Sequence, residues 1–300
     1  MTPPFQDIGN RLRAYRLGHG LSAAAIAEKL GISRAAVYRI EAGEVVKVET
    51  VARLAQVIGT STASLLGVAV EYYSNAPSYF ERMRQLEAES QQVVAHFEPV
   101  SYLLTTTAYT AHLRTMLIES LPPALAQNRR AAAEIDRLMS VLEHRKSLMH
   151  SRRFNIVSLI TVSEIERFLQ LGLIGRFDLP AREWERRRAA ARDEIANVAR
   201  LMREEPIGVQ IGLVEDTMPN ITFQLFRGES RTVLATSPFR LGEQPNVRVG
   251  IATVTAAEEA VTLYERMVAD LWKRSLKGSA GAALLENILE RNRGARGRRR

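Results

Sequence analysis

The stretch LSAAAIAEKLGISRAAVYRIEAG, which begins at Leu21, constrains the fold of this chain more than any other segment. Ser22 is a good N-cap for a helix over 23–30. Gly31 follows at the position where a helix commonly ends in the left-handed conformation. A second helix over 34–42 ends before Gly43. The pattern therefore predicts two short helices joined by a tight turn.

The second of these helices has one apolar side and one basic side. Val37 and Ile40 are spaced to point inward, while Arg34, Ala35 and Arg39 point outward. Two helices joined by a short turn with a glycine, the second of which exposes basic residues, form a helix-turn-helix. Residues 34–42 are the candidate recognition helix.

Residues 8–67 resemble the Xre/Cro-type helix-turn-helix domain of phage repressors and bacterial regulators. The similarity rests on three segments in the expected order, IGNRLRAYR, LSAAAIAEKLGISRAAVYRIEAG and VETVARLAQVIGTSTASLLG, which together predict five helices. The resemblance implies a transcriptional regulator that binds double-stranded DNA as a homodimer. The family often carries Gln at the position of Ala23, so one expected DNA contact is missing here.

The resemblance places the base-reading side chains at Arg34, Ala35 and Arg39. Arginine can donate two hydrogen bonds to guanine O6 and N7, which contributes roughly 1–3 kcal/mol of discrimination. The alternative is that both arginines contact only phosphates or water. Ala35 can contact a thymine methyl group, or it can be small because nothing larger fits.

Other residues of the helix-turn-helix are expected to fix the protein on the DNA backbone or to stabilise the domain. Contacts to phosphates fix the register of a protein on DNA without carrying sequence information. The resemblance also implies that Arg16 and Glu41 form a structural ion pair between the first helix and the recognition helix. If that pair is buried, loss of one partner costs roughly 3–5 kcal/mol. The candidate backbone contacts are Ser22, Ser33, Tyr38 and Lys47.

Composition excludes several classes of site. The chain of 300 residues has no cysteine, so disulfides, thiolate metal sites and cysteine nucleophiles are excluded. It has no apolar run of membrane-spanning length and no signal-peptide pattern, so we expect a cytoplasmic protein without a membrane partner. The net charge of +8 lies mainly at the two ends, because residues 1–67 carry eight Lys/Arg against five Asp/Glu and residues 279–300 carry six against two. The basic ends are expected to favour a nucleic-acid partner.

The rest of the chain predicts a larger mixed α/β domain with a small, mostly antiparallel sheet. The predicted division is a DNA-binding domain over 1–67, a linker and long helix over 68–98, a regulatory and dimerisation domain over 99–278, and a basic helix with a disordered tail over 279–300. The long helix, over 78–97, is either a dimerisation helix or an ordinary helix packed on the large domain. The predicted strands are 155–161, 207–214, 221–226, 232–236 and 247–254.

The large domain loosely resembles the ligand-sensing-type domain that follows an Xre head in many bacterial regulators. It contains no phosphate loop, dinucleotide fingerprint or nucleophile elbow, so no catalytic residue and no cofactor are predicted. His144 and His150 lie on different faces of a helix, so no metal site is predicted either. Arg240 and Asn246, in the loop 236–246, are candidates for binding a small anionic effector of unknown identity. The alternative is that two prolines alone order this loop.

The sequence therefore predicts a bacterial DNA-binding transcriptional regulator, and its large domain is the candidate site for an effector or a partner. Two alternatives remain. In the first, the large domain is an enzyme and the helix-turn-helix domain brings it to DNA. In the second, the large domain is an antitoxin-like module that binds a second protein.

Overall fold

A computed structural model describes residues 5–44, 47–67, 70–125, 127–151 and 154–297. Parts of three segments lie outside these residues. They are the first residues of the chain, which the sequence predicts to be a disordered arm over 1–6, the start of the linker, which the sequence places at 68–77, and the end of the basic tail.

The N-terminal region, hereafter the head, is a bundle of five helices, as predicted. The Ser22 hydroxyl accepts a hydrogen bond from the Ala25 N–H at 3.0 Å and caps the second helix. Gly31 ends that helix with a φ of 67°, in the left-handed region where glycine is least strained. The helices are α1 (Phe5–Gly18), α2 (Ala23–Leu30), α3 (Arg34–Glu41), α4 (Val48–Ile58) and α5 (Thr62–Leu66).

The remainder, hereafter the body, begins at residue 70, and its described residues form seven α-helices and seven strands. Its helices are α6 (Ala76–Glu89), α7 (Thr107–Glu119), α8 (Arg129–Ser151), α9 (Val162–Leu171), α10 (Ala181–Glu204), α11 (Glu258–Arg274) and α12 (Gly278–Gly297). Its strands are β1 (Glu71–Tyr73), β2 (Gln92–His96), β3 (Asn155–Thr161), β4 (Val209–Val214), β5 (Thr222–Arg227), β6 (Thr232–Ser237) and β7 (Ala252–Thr255).

All seven strands form one mixed sheet in the order β1-β7-β6-β5-β2-β3-β4. The pairs β2–β3 and β3–β4 are parallel, and the other four pairs are antiparallel. This confirms the predicted α/β body with a mostly antiparallel sheet. Helix α11 packs on one face of the sheet against Val157, Phe223 and Leu225. The other face belongs to a single core that continues into the head.

The predicted helix over 78–97 is wrong in its second half. Helix α6 ends at Glu89, and β2 begins at Gln92 and pairs with β3 and β5. Val93 and Val94 are both buried because they face opposite sides of a central strand. The prediction failed because these β-branched residues fit either pattern, and only the neighbouring strands decide between them.

Helix α6 is not a dimerisation helix, because most of its circumference is buried inside this chain. It packs between α1 of the head and α8 of the body. The carboxylate of Glu87 is fully buried and accepts hydrogen bonds from the Arg145 guanidinium at 2.5 to 3.1 Å. The second interpretation, a helix packed on the large domain, agrees with the structure.

Three smaller predictions also need correction. The sequence predicts Ser163 as the N-cap of the helix that follows β3, but the Thr161 hydroxyl caps α9 by accepting from the Glu164 N–H. The predicted strand 247–254 is reduced to β7, because the residues before Ala252 form a loop. The sequence predicts that the last helix ends at Arg291 and that a disordered tail follows, but α12 extends to Gly297.

Candidate nucleic-acid interface

The predicted recognition helix α3 exposes its basic side. Arg34, Ala35, Tyr38 and Arg39 are exposed, while Val37 is fully buried. Arg34 Nη2 donates to the Tyr38 hydroxyl at 3.1 Å, and its guanidinium carbon lies 5.4 Å from the centre of the Tyr38 ring. Both contacts are on the surface, so Arg34 can leave Tyr38 for a stronger partner at little cost.

Arg39 has a surface partner of its own. Its Nε lies 3.1 Å from a carboxylate oxygen of Glu44, and both side chains are at least half exposed. Exposed ion pairs of this kind contribute only about 0–1 kcal/mol. A guanine edge or a phosphate can therefore replace Glu44 as the partner of Arg39.

The two serines predicted to contact the DNA backbone stand at helix N-termini. Ser22 caps α2, and the Ser33 hydroxyl accepts from the Ala36 N–H at 3.1 Å at the start of α3. Helix N-termini present free N–H groups that suit phosphate oxygens. Lys47 precedes α4 and is exposed. All the residues proposed from the sequence to touch DNA are thus accessible on the head.

Arg16 and Glu41 form a buried ion pair. Arg16 Nη2 donates to Glu41 Oε2 at 2.9 Å, and Arg16 Nε donates to Glu41 Oε1. Both side chains are nearly inaccessible. The hydrogen bond to Glu41 raises the pKa of Arg16. The pair joins the last turn of α1 to the last residue of α3 and fixes the position of the recognition helix.

Comparison with known proteins agrees with this geometry. Residues 7–66 match a family model described as a helix-turn-helix domain. The match supports a DNA-binding regulator, and it covers the head only. No curated protein and no solved structure matches the chain. Among the described helices, none is long and apolar enough to cross a membrane.

The helix-turn-helix domain is joined to the body by a buried charged cluster, which sequence reasoning missed. Glu71 of β1 accepts hydrogen bonds from Arg11 of α1 at 2.6 Å, from Arg82 of α6 at 3.0 and 3.1 Å, and from the Tyr73 hydroxyl at 2.6 Å. Burial alone would raise the pKa of Glu71, but the charges and hydrogen bonds of Arg82 and Arg11 hold it at about 2. One carboxylate therefore links the head, the sheet and helix α6.

Further polar contacts extend this joint along α1. Gln85 donates to the carbonyl of Asn10 at 2.9 Å, and the Asn10 amide donates to Glu89 at 3.0 Å. At the end of α1, a Cβ added to Gly18 would lie 1.7 Å from the Ser78 hydroxyl, so only glycine allows this approach. The head thus contacts the body along α1 from Asn10 to Gly18.

The structure holds Arg240 and Asn246 within their own loop. Arg240 Nη2 lies 2.9 Å from a carboxylate oxygen of Glu243, and the same oxygen lies 3.2 Å from Arg167. The Asn246 amide donates to the carbonyls of Pro238 and Val249 at 3.2 and 2.8 Å. Both side chains therefore have partners within the protein, and Arg240 Nε is also buried without a hydrogen-bond partner. Their role in binding an effector stays a prediction.

Among the described residues, no group of three or more His, Asp or Glu side chains is arranged to hold a metal ion.

Proposed function

We propose that this chain is a sequence-specific transcriptional regulator of the Xre type, from a bacterium, which reads the major groove with α3. The observation that carries the proposal is the recognition helix itself. It exposes Arg34 and Arg39 beside small Ala35, and the buried Arg16–Glu41 pair fixes its orientation. The two hydrogen bonds from an arginine to a guanine edge require a fixed orientation of the recognition helix. Contacts to phosphates alone do not require that orientation.

Within this proposal, Ser22, Ser33, Tyr38 and Lys47 contact phosphates and set the register of the head. The protein acts in the cytoplasm. It binds DNA as a homodimer, because helix-turn-helix proteins of this kind read paired half-sites. The centres of such half-sites lie roughly 34 Å apart, one turn of DNA. No catalytic residue and no cofactor is assigned to the body.

The contacts between the head and the body support a regulator in which the paired bodies of a dimer set the distance between the two heads. Glu71 joins α1 to both β1 and α6 through buried contacts. Movement of one head relative to its body would break these contacts. The distance between two heads in a dimer is then decided by the way the two bodies pair, and any ligand that changes the pairing changes the affinity for a paired site.

The test is selection of bound sequences from a pool of random duplexes, with the wild type and with the double variant Arg34→Ala, Arg39→Ala. We expect the wild type to select a paired motif with guanines and the variant to lose those guanines. The double variant Arg129→Ala, Arg130→Ala is the matched control, because it removes two exposed arginines of α8 in the body. Selection of the same motif by the wild type and the recognition-helix variant would refute the base-reading roles.

A further inference from the structure

A cavity of about 260 Å³ lies where the head meets the body. Gly18 and His19 line it from the end of α1, and Pro77 lines it from the start of α6. The remaining walls come from the end of α7, from α8 and from the loop before β7. A second, larger groove of about 560 Å³ shares Pro77 and Arg137 with it. The two together have the size of small-molecule sites, which is roughly 300–1,000 Å³.

Arg137 of α8 stands where the two cavities meet. Its Nε atom is buried and has no hydrogen-bond partner. Its guanidinium lies beside the head, because a Cβ added to Gly20 would be 3.2 Å from it. Buried polar atoms are nearly always hydrogen-bonded, so an orphaned guanidinium N–H at a cavity wall indicates a missing acceptor.

The charge at this wall favours an anion as that acceptor. Arg248, from the loop before β7, lines the same cavity, and Glu134 is its acidic lining residue. Within the described part of the chain, none of Arg137, Arg248 and Glu134 forms an ion pair, whereas Arg84, Arg145 and Arg187 of the body all do. Two uncompensated guanidinium groups against one carboxylate leave the wall positive.

The cavity also has apolar side chains in its walls, beside the polar Asn75 and Ser120. Leu117 and Leu121 come from the end of α7, and Ile135 and Leu138 come from α8. Leu117, Ile135 and Leu138 belong to the buried core, so this surface is well packed and fixed in place. An occupant that satisfies both surfaces has an anionic group and a small apolar body.

We propose that this cavity binds a small organic anion, with its charged group on Arg137 and Arg248 and its apolar part against α7 and α8. The regulatory meaning of the site rests on the proposed function as a DNA-binding regulator. Because Gly18 and His19 of the head form part of the wall, a bound ligand contacts the head and the body together. A bound ligand therefore changes the position in which the body holds the head, in addition to the contacts of Glu71.

The first experiment is a fluorescence titration of the full-length protein with anilinonaphthalene sulfonate, an apolar anion that brightens in dry sites. The variants are Arg137→Gln with Arg248→Gln, and the matched control Arg129→Gln with Arg130→Gln, which removes two exposed charges from the same helix. We expect saturable binding that weakens at least about tenfold in the first variant, because two charged hydrogen bonds are lost, and is unchanged in the control. Equal affinity in all three proteins, or no saturation in the wild type, overturns the proposal.

A competition experiment separates charge from hydrophobicity. Octanoate and octanol share an alkyl chain, and only octanoate carries a negative group. We expect octanoate to displace the probe from the wild type at a much lower concentration than octanol. Equal displacement by the two would show an apolar site without anion recognition, which contradicts the assignment of Arg137 and Arg248.

A DNA-binding titration with and without saturating octanoate then tests the coupling. We expect the affinity for the selected paired site to change in the wild type and to stay constant in the Arg137→Gln, Arg248→Gln variant. An affinity that octanoate does not change overturns the coupling. A wild-type protein that binds octanoate normally but binds no DNA would refute the proposed function while the anion site stands.

Discussion

Replacement of Glu71 by glutamine removes the negative charge at the centre of the joint between head and body. The carboxylate accepts hydrogen bonds from Arg11, Arg82 and Tyr73, and the side chain of Arg82 is almost wholly inaccessible. Glutamine has nearly the same shape but no charge. The variant therefore leaves two guanidinium groups in the interior with a neutral partner in place of a carboxylate.

The magnitude follows from the position of the charge. Loss of one partner of a buried ion pair costs about 3–5 kcal/mol, because the other charge stays buried and uncompensated. The pKa of Glu71 falls from 4.5 to about 2 in the folded protein. At 1.36 kcal/mol for each pKa unit, ionisation of Glu71 contributes about 3 kcal/mol to the free energy of unfolding at neutral pH. The cost expected for a broken buried ion pair and the contribution derived from the pKa of Glu71 are therefore of similar size.

The sign of the pH dependence is fixed by the direction of the shift. Since the folded pKa is depressed, the contribution of Glu71 is fully present above the unfolded value of 4.5 and is lost as the pH falls towards 2. The difference in stability between wild type and Glu71→Gln should therefore be largest at pH 7 and should narrow between pH 4.5 and 2.

Urea unfolding followed by circular dichroism at pH 7 and at pH 3 measures this difference. Glu28→Gln is the control, because Glu28 lies exposed on α2 of the same head and undergoes the same chemical change. The reasoning is refuted if Glu71→Gln costs no more than Glu28→Gln at pH 7, or if the difference between wild type and Glu71→Gln is independent of pH.

Three further predictions concern other parts of the chain. Glu41→Gln should lower the free energy of unfolding by about 3–5 kcal/mol in urea, since Arg16 then stays buried with a neutral partner; a loss within the range of an exposed substitution would contradict this. Gly31→Ala should cost about 1 kcal/mol in the same assay, because φ is +67° there although space for a Cβ is open, and Gly31→Asn should cost less. Burial lowers the pKa of His96, so the midpoint of its NMR titration should lie below 6.5. The free energy of unfolding should fall as the pH drops below 6.5, because the unfolded chain then takes up a proton that the folded chain does not. A midpoint above 6.5 would be the contrary result.

Much of the head could be predicted because its signals are local. The serine caps of α2 and α3, the left-handed Gly31 and the apolar spacing of Val37 and Ile40 each act within one turn of helix. The exposed side of α3 followed from the same spacing, so the candidate DNA-reading residues were found without knowledge of the tertiary structure.

The body was less predictable because its decisive signals are not local. Residues 92–96 carry an apolar pattern that also fits a helix, and their pairing with β3 and β5 selects the strand. Nothing near Glu71 shows that arginines 60 positions earlier and 11 positions later will enclose it. The cavity at Arg137 is equally hidden, since its walls come from segments far apart in the chain.

The sequence by itself determined the five-helix head, the recognition helix and its exposed arginines, because caps, glycine and periodicity operate over a few residues. Only the tertiary structure decided that the head is seated firmly on the body, that α6 is an internal helix and that Arg137 meets the head at a cavity. These features depend on which distant side chains share one small volume, and burial there makes a single charge worth several times its value at the surface.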